Sequence, residues 1–198
     1  MKKITHYPTY DVMNERDQWD GHTQSIVASR LVRDRQYSFL TTVEAEILRA
    51  WCSLLMNDDR GEVIQYVLSH IDKTLSQSIG EGQRKSGVPK AQVLVREGLK
   101  AIQEAARMSD SQAFFHLEEA KQKQLMGAIS EGSWPHTELW EGIPQKELFQ
   151  KLMTMTVEAY YSHPTIWSEI GYGGPAYPRG YVRGQIGQLD PWEAKREL

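Results

Sequence analysis

Apolar residues recur every three or four positions along the middle of the chain, which is the spacing of one face of an α-helix. Between residues 40 and 163 this pattern predicts five amphipathic helices. Their main apolar positions are, helix by helix, Val43, Ile47, Leu48, Trp51, Leu54 and Leu55; Val63, Ile64, Val67, Leu68, Ile71 and Leu75; Val93, Leu94, Leu99, Ile102 and Ala106; Phe114, Phe115, Leu117, Leu125, Met126 and Ile129; and Leu148, Phe149, Leu152, Met153 and Val157. Because almost no two-residue alternation intervenes, the pattern predicts an all-α bundle.

Residues typical of helix ends divide this pattern into separate helices. Thr41 followed three residues later by Glu44 is a capping box, which predicts the start of the first helix. Pro89 and Pro144 are predicted to begin the third and fifth helices, where a missing N–H costs nothing. Pro164 is predicted to end the fifth, because the residue before a proline avoids the α conformation.

The two ends of the chain lack this periodicity and are rich in tyrosine, tryptophan, glycine and proline. The N-terminal arm, predicted over residues 1–39, contains HYPTYDV and QWDGH, and the C-terminal arm, over residues 164–198, contains GYGGPAYPRGYVRG. Disordered tails are poor in aromatic residues, so we expect both arms to pack against the bundle or against another chain. The predicted organisation is one domain, residues 1–198, with a helical core over 40–163 and two extended arms.

Charge and hydropathy exclude two classes of partner. The net charge is −3 and the basic residues are scattered, which argues against nucleic-acid binding. No apolar run approaches the length of a membrane span, so we expect no direct membrane insertion. The first residues hold neither an apolar signal region nor an Arg-Arg pair, and the chain is therefore expected to stay in the cytoplasm.

Searching the sequence for catalytic, cofactor and metal motifs leads to the prediction that this chain contains no such site. The glycine-rich run of the C-terminal arm matches neither of the phosphate-binding patterns GxGxxG and GxxxxGK(S/T), and no predicted strand precedes it. The six histidines include no pair at the i, i+4 spacing of a helical zinc site, and His116 with Glu119 is a spacing common by chance. The single cysteine, Cys52, lies in an apolar stripe, which favours a buried hydrophobe over a reactive thiol.

The aromatic residues of the two arms stand out as candidates for a functional surface. Tyrosine, tryptophan and arginine are enriched where proteins bind each other, because they bury a large rigid area and keep a polar tip. Composition alone leaves two interpretations open, docking on another protein or packing back on the bundle as a lid. The candidate partner-binding residues are Tyr7, Tyr10, Trp19, Trp167, Tyr172, Tyr177, Arg179, Tyr181 and Trp192.

Three stretches of the chain resemble the gluconate 2-dehydrogenase subunit 3 family. They are YPTYDVM followed by WDGHTQSIVASRL near the N-terminus, AYYSHPTIWSEIGY after the fifth helix, and GYGGPAYPRGY followed by DPWE. The resemblance implies a non-catalytic small subunit that binds a flavoprotein dehydrogenase large subunit of the glucose-methanol-choline type and helps it to mature. It also implies that FAD lies in that large subunit, that a cytochrome c subunit can complete the complex, and that this chain holds no cofactor.

Many members of that family carry a twin-arginine signal, which this sequence lacks. The resemblance then implies either a complex that works in the cytoplasm or export of this chain as the passenger of a signal-bearing partner. A different hypothesis remains beside it. The chain could be a stand-alone helical enzyme or small-ligand binder, with a site beneath the C-terminal arm built from Tyr160, Tyr161, His163 or Trp167.

Overall fold

A computed structural model describes residues 5–31, 36–78, 84–135, 138–176 and 179–197. Across these ranges the chain is all-α with no strand, which confirms the predicted fold class. The α-helices in these ranges are α1 (Gly21–Ser29), α2 (Thr42–Met56), α3 (Gly61–Ser76), α4 (Ala91–Asp110), α5 (Glu119–Glu131), α6 (Gln145–Tyr160) and α7 (Pro164–Ile170). Short 3-10 turns lie at Val12–Gln18, Phe114–His116 and Glu138–Trp140.

The contacts divide the chain into two compact units, which are described separately. The helical unit is residues Asp34–Ala159 and holds the five predicted helices, α2 to α6. The terminal unit is Met1–Arg33 together with Tyr160–Leu198, so it contains most of the predicted N-terminal arm and all of the predicted C-terminal arm. It also contains α1 and α7, two short helices that the hydrophobic periodicity did not predict.

The core of the helical unit is built around Trp51 of α2, whose side chain is fully buried. The Trp51 ring lies 6.0 Å from the Phe114 ring and 5.8 Å from the Phe149 ring, measured between centroids. Helices α4 and α6 approach so closely that a Cβ atom on Gly98 would lie 2.4 Å from Leu148. Leu148 therefore packs directly onto the backbone of α4, and glycine is the residue that leaves room for it.

Two polar features fix the start of α2. The capping box is formed as predicted: Thr41 Oγ1 accepts the N–H of Glu44 at 3.3 Å, and Glu44 accepts the N–H of Thr41 at 2.7 Å. Ahead of it, the buried carboxylate of Asp72 on α3 accepts the backbone N–H groups of residues 38, 39 and 40 at 2.8–2.9 Å. A buried carboxylate is tolerated when hydrogen bonds replace its hydration, and here those bonds tie the entry of α2 to α3.

The fourth of the predicted helices begins later in the structure than the sequence pattern predicts. Helix α5 begins at Glu119, and Phe114 lies in the preceding 3-10 turn instead. Two glutamines hold that turn: Gln103 accepts the N–H of Phe114 at 3.1 Å, and Gln122 donates to its carbonyl oxygen at 2.8 Å. Side-chain amides satisfy the backbone here, so the phenylalanine enters the core without a helix.

Three helix ends that were predicted from prolines also differ in the structure. Helix α4 begins at Ala91 and α6 at Gln145, so Pro89 and Pro144 precede their helices and do not form the first turn. Helix α6 ends at Tyr160, and Pro164 is the first residue of α7. The same proline that was expected to end one helix therefore begins the next, where its fixed φ angle suits the first position.

Cys52 is fully buried in the helical unit, which confirms its interpretation as a core residue. Its Sγ lies 3.3 Å from Thr156 Oγ1. Burial raises the pKa of the Cys52 thiol to about 12, and the Thr156 hydroxyl and Arg49 only partly oppose that rise. The thiol is therefore neutral and shielded from reagents at neutral pH.

Candidate partner-binding site

The terminal unit has a small hydrophobic core to which both ends of the chain contribute. Val12, Trp19, Val27 and Trp167 are buried together, and Tyr10 packs against them. Trp19 and Trp167 are only 3% and 5% exposed, so these two candidate docking residues support the surface from beneath. The guanidinium carbon of Arg30, at the end of α1, lies 5.1 Å from the centroid of the Trp167 ring.

The glycines of the C-terminal arm are contact points for aromatic rings of the N-terminal arm. Gly171 ends α7 with a φ of +73°, and a Cβ atom there would lie 2.6 Å from the Tyr7 ring. Gly174 has a φ of +79°, and a Cβ atom there would lie 2.6 Å from the Trp19 ring. Positive φ angles and close approach both demand glycine. The glycine-rich run therefore serves packing between the two ends of the chain.

Arg179 connects three parts of the terminal unit. Its guanidinium carbon lies 4.4 Å from the centroid of the Trp192 ring and 5.9 Å from that of Trp19. The side chain also donates hydrogen bonds to the carbonyl oxygens of Gly173 and Gly174. Burial lowers the pKa of Arg179, although the nearby Tyr10 and other anionic or ionisable groups oppose that shift. Cation–π contacts of this kind stabilise a desolvated guanidinium, so Arg179 acts as an internal clamp.

Several hydrogen bonds between the two arms stabilise the unit. The Tyr10 hydroxyl donates to the carbonyl oxygen of Trp192 at 2.8 Å, and the Thr5 hydroxyl donates to that of Glu169 at 2.5 Å. Ser168 Oγ accepts the backbone N–H of Val12 at 3.0 Å. Burial is the main cause that raises the pKa of Tyr10 to about 12, with nearby Glu15 next. The neutral phenol that donates to Trp192 is thus favoured.

Tyrosine and aliphatic side chains are among the exposed residues of this unit. Tyr172 is 44% exposed and Tyr181 is 68% exposed. Every residue from Gly180 to Leu189 is exposed, and we name this segment, as a candidate for contact with a partner, the docking loop. Among the other candidates, Tyr7, Tyr10, Arg179 and Trp192 are half-buried, and Tyr177 lies outside the described residues.

Sequence reasoning missed the aliphatic side chains of the docking loop, Val182, Ile186 and Leu189. The search for docking residues was based on aromatic and arginine side chains, which dominate interface hot spots. A usable signal was nevertheless present. These three residues stand in a glycine- and glutamine-rich segment that has no helical period and therefore no helix face in which to bury them.

Two side chains of the alternative ligand site, those of His163 and Trp167, make structural hydrogen bonds. His163 is buried at the start of α7, where its Nδ1 accepts the N–H of Thr165 at 3.2 Å. Trp167 donates its Nε1–H to the carbonyl oxygen of Tyr161 at 2.6 Å. A groove of about 390 Å³ does lie in this unit, with no contribution from Tyr160, Tyr161, His163 or Trp167. It is lined by Leu31, by one face of α7 and by six residues of the N-terminal arm, Thr5, Tyr7, Pro8, Tyr10, Asp11 and Met13.

The described residues also bear on two other kinds of site, a metal site and a membrane-spanning helix. Within those ranges, no three His, Cys, Asp or Glu side chains come together in a way that could hold a metal ion. None of the helices found there is both long enough and apolar enough to cross a membrane.

Across the described residues, this is an all-α protein whose terminal unit exposes tyrosine and aliphatic side chains. A scan against protein-family models matches residues 42–174 to gluconate 2-dehydrogenase subunit 3. Since the match covers more than half of the chain, the protein belongs to the gluconate 2-dehydrogenase subunit 3 family, whose name denotes a small subunit of an oxidoreductase complex. Searches of curated proteins and of solved structures found no significant match.

The family match has a boundary that bears on the site. It includes α2 to α7 and the whole stretch AYYSHPTIWSEIGY, one of the three that suggested the resemblance. It ends at residue 174, so the N-terminal arm and the docking loop lie outside it.

Proposed function

We propose that this chain is a non-catalytic small subunit that binds a flavin-dependent sugar or gluconate dehydrogenase of the glucose-methanol-choline type and stabilises or matures it. Family membership over residues 42–174 is the observation that carries the proposal. In the proposed complex the large subunit holds FAD and performs the oxidation. A cytochrome c subunit accepts the electrons where the complex includes one.

The physical basis of such a role is mass action. A partner that binds the folded large subunit, and not its unfolded chain, stabilises the folded form by about 2.7 kcal/mol when its free concentration is 100 times Kd. That amount is a large fraction of the free energy of unfolding of an ordinary domain. A small subunit can therefore determine how much active flavoprotein accumulates without taking part in the chemistry.

The distribution of exposed hydrophobic side chains supports docking through the terminal unit. Of the large hydrophobic residues that are exposed in the described ranges, nine lie in the terminal unit and five in the longer helical unit. Large apolar areas on a soluble protein commonly mark binding surfaces. The nine are Ile26, Leu31, Tyr161, Ile170, Tyr172, Tyr181, Val182, Ile186 and Leu189.

The test is co-expression of the chain with the flavoprotein large subunit of the same organism, followed by affinity purification and measurement of bound FAD. Wild-type chain should co-purify with the large subunit and raise the yield of its FAD-loaded form. The double variant Tyr172→Ala/Tyr181→Ala should lose most of both effects, because both side chains are exposed. Since the Tyr172 ring also contacts the ring of the core residue Trp167, with 5.4 Å between centroids, circular dichroism and thermal unfolding of the variant check that it still folds. Arg179 is unsuitable for this test, since its loss would disturb the unit itself.

A matched control removes equally exposed side chains from the helical unit. Val43 and Val93 are each 51% exposed, and the double variant Val43→Ala/Val93→Ala should bind as wild type does. The proposal is wrong if the wild-type chain does not bind the large subunit, or if the large subunit gains FAD equally well without it. Turnover of gluconate or glucose with a dye acceptor by the purified chain alone would also contradict it.

A further inference from the structure

The tip of the docking loop is a tight turn that displays one isoleucine. Gln188 donates its backbone N–H to the carbonyl oxygen of Gln185 at 3.2 Å, and Gly187 has a φ of +82°. A positive φ at the third residue of a four-residue turn is the requirement of a type II turn, which glycine meets. The Gln188 side chain also accepts the N–H of Gly184 at 3.1 Å. Ile186 is thereby held at the corner of the turn, where its side chain is fully exposed.

The base of the docking loop is held by a single buried carboxylate. Asp190 is only 2% exposed, and its Oδ1 accepts the N–H groups of Val182 and Arg183, both at 2.8 Å. The backbone N–H of Asp190 donates in turn to Glu193 at 2.9 Å. One side chain thus closes the loop across its two ends, so the display of Ile186 is built into the hydrogen bonding of this segment.

The loop exposes four large hydrophobic side chains beside two glutamine amides, and its one charge is compensated. Tyr181, Val182, Ile186 and Leu189 are all exposed. The one charged residue between 180 and 189 is Arg183, which lies 3.9 Å from Glu193 and 5.5 Å from the centroid of the Tyr181 ring. Binding to a membrane surface relies on clusters of basic residues beside the apolar ones, and this loop has none. Its chemistry fits an uncharged, apolar pocket on a folded protein.

We propose that the docking loop inserts Ile186 into an apolar pocket on the flavoprotein large subunit, with Val182 and Leu189 packing at the rim of that pocket. This inference rests on the proposed function and adds the element that makes the contact. A pre-formed loop loses little conformational freedom on binding, which favours affinity. A stable interface buries about 800 Å² on each partner, so the loop is the anchor of a larger contact that includes Tyr172.

The experiment measures the Kd between the purified large subunit and the immobilised full-length chain. Ile186→Asp places a charge in the apolar pocket and should weaken binding by roughly thirtyfold or more, the size of an interface hot spot. Ile186→Leu should bind within a few-fold of wild type. Val93→Asp, the same kind of change at an exposed valine of α4, should leave Kd unchanged. Helical content and melting temperature should match wild type for all three variants.

The outcomes separate the two proposals. If the wild-type chain does not bind the large subunit, the proposed function fails. If wild type binds and Ile186→Asp, or equally Ile186→Ser, binds as tightly, the docking-loop inference is wrong while the proposed function stands. If the chain alone sediments as a dimer and Ile186→Asp makes it a monomer without changing binding to the large subunit, the occupant is a second copy and the inference is overturned.

Discussion

The two units of this protein are stabilised in different ways. In the helical unit, long amphipathic helices bury their apolar faces around Trp51, and the described ranges leave five large hydrophobic side chains exposed. In the terminal unit, the core cluster consists of four residues contributed by both ends of the chain, and nine large hydrophobic side chains are exposed. A unit with so small a core has apolar surface left over. That remaining surface is what a partner can bury.

The contacts inside the two units differ as well. The helical unit relies on side chains packed between helices, as where Leu148 contacts the backbone at Gly98. The terminal unit relies on rings packed against glycine backbone, and on Arg179 between Trp19 and Trp192. Substitutions in the two units should therefore lower the free energy of unfolding by different amounts.

Trp51→Ala should give the largest loss of stability. It removes a fully buried ring that contacts Phe114 and Phe149, which typically costs about 3–5 kcal/mol. Guanidinium unfolding followed by labelling of the Cys52 thiol measures the effect in the helical unit. Trp192→Ala, which removes a half-buried ring of the terminal unit, should leave the labelling of Cys52 close to wild type. Equal effects of the two variants would contradict the comparison.

High pH should destabilise the helical unit through Cys52. Its pKa is raised from 9.0 to about 12 in the folded chain, so the unfolded chain ionises first. The stabilising contribution is complete below pH 9 and is lost as pH rises toward 12, by roughly 4 kcal/mol in all. Denaturation between pH 8 and pH 11 measures the slope. Cys52→Ala should flatten it, and an unchanged slope in that variant would assign the pH dependence to other groups.

Gly174→Ala should destabilise the terminal unit, because the new methyl group meets the Trp19 ring at 2.6 Å and the φ is +79°. Overpacking and strain of this kind cost about 1–3 kcal/mol. Gly180 is a matched control: its φ is +70°, but a Cβ atom there meets nothing within 4 Å. Gly180→Ala should therefore cost about 1 kcal/mol from strain alone. Hydrogen exchange of residues 5–31 checks both, and equal effects would contradict ring-on-glycine packing.

Arg179→Lys should have a smaller effect than the glycine substitution. Lysine keeps the charge but loses the flat guanidinium that faces Trp192 and reaches two carbonyl groups, a loss of about 1 kcal/mol. Arg183→Lys is the control, since Arg183 lies on the exposed loop and should change stability by less than about 0.5 kcal/mol. Thermal unfolding followed by tryptophan fluorescence distinguishes them. A larger effect at Arg183 would reverse the assigned roles.

The helical unit was largely predictable because its energetics are periodic. Residues such as Ile47, Leu48 and Trp51 face the core at helical spacing, and Thr41 with Glu44 marks the helix start. The predicted helix start is wrong at Phe114, because side-chain hydrogen bonds take the place of helical ones there. Gln103 and Gln122 bind the backbone N–H and carbonyl oxygen of Phe114. No periodic pattern reveals such long-range side-chain contacts.

The candidate site was predictable in composition but not in geometry. Tyr172 and Tyr181 are exposed as a docking surface requires, while Trp19 and Trp167 are core residues of the terminal unit. Tryptophan is a residue type that is common in interface hot spots. Only the contacts between the two ends of the chain determine whether such a ring is buried or exposed. Ile186 escaped notice because its exposure follows from a local turn.

Hydrogen exchange of the chain, free and bound to its flavoprotein large subunit, decides which of the two units makes the contact. Residues 180–189 and the backbone around Tyr172 should gain protection on binding, since they carry exposed hydrophobic side chains of the terminal unit. The backbone around Val43 and Val93 should exchange at the same rate in both states. Protection at those two valines with no change in the docking loop would show that the helical unit binds the enzyme, and would contradict the account.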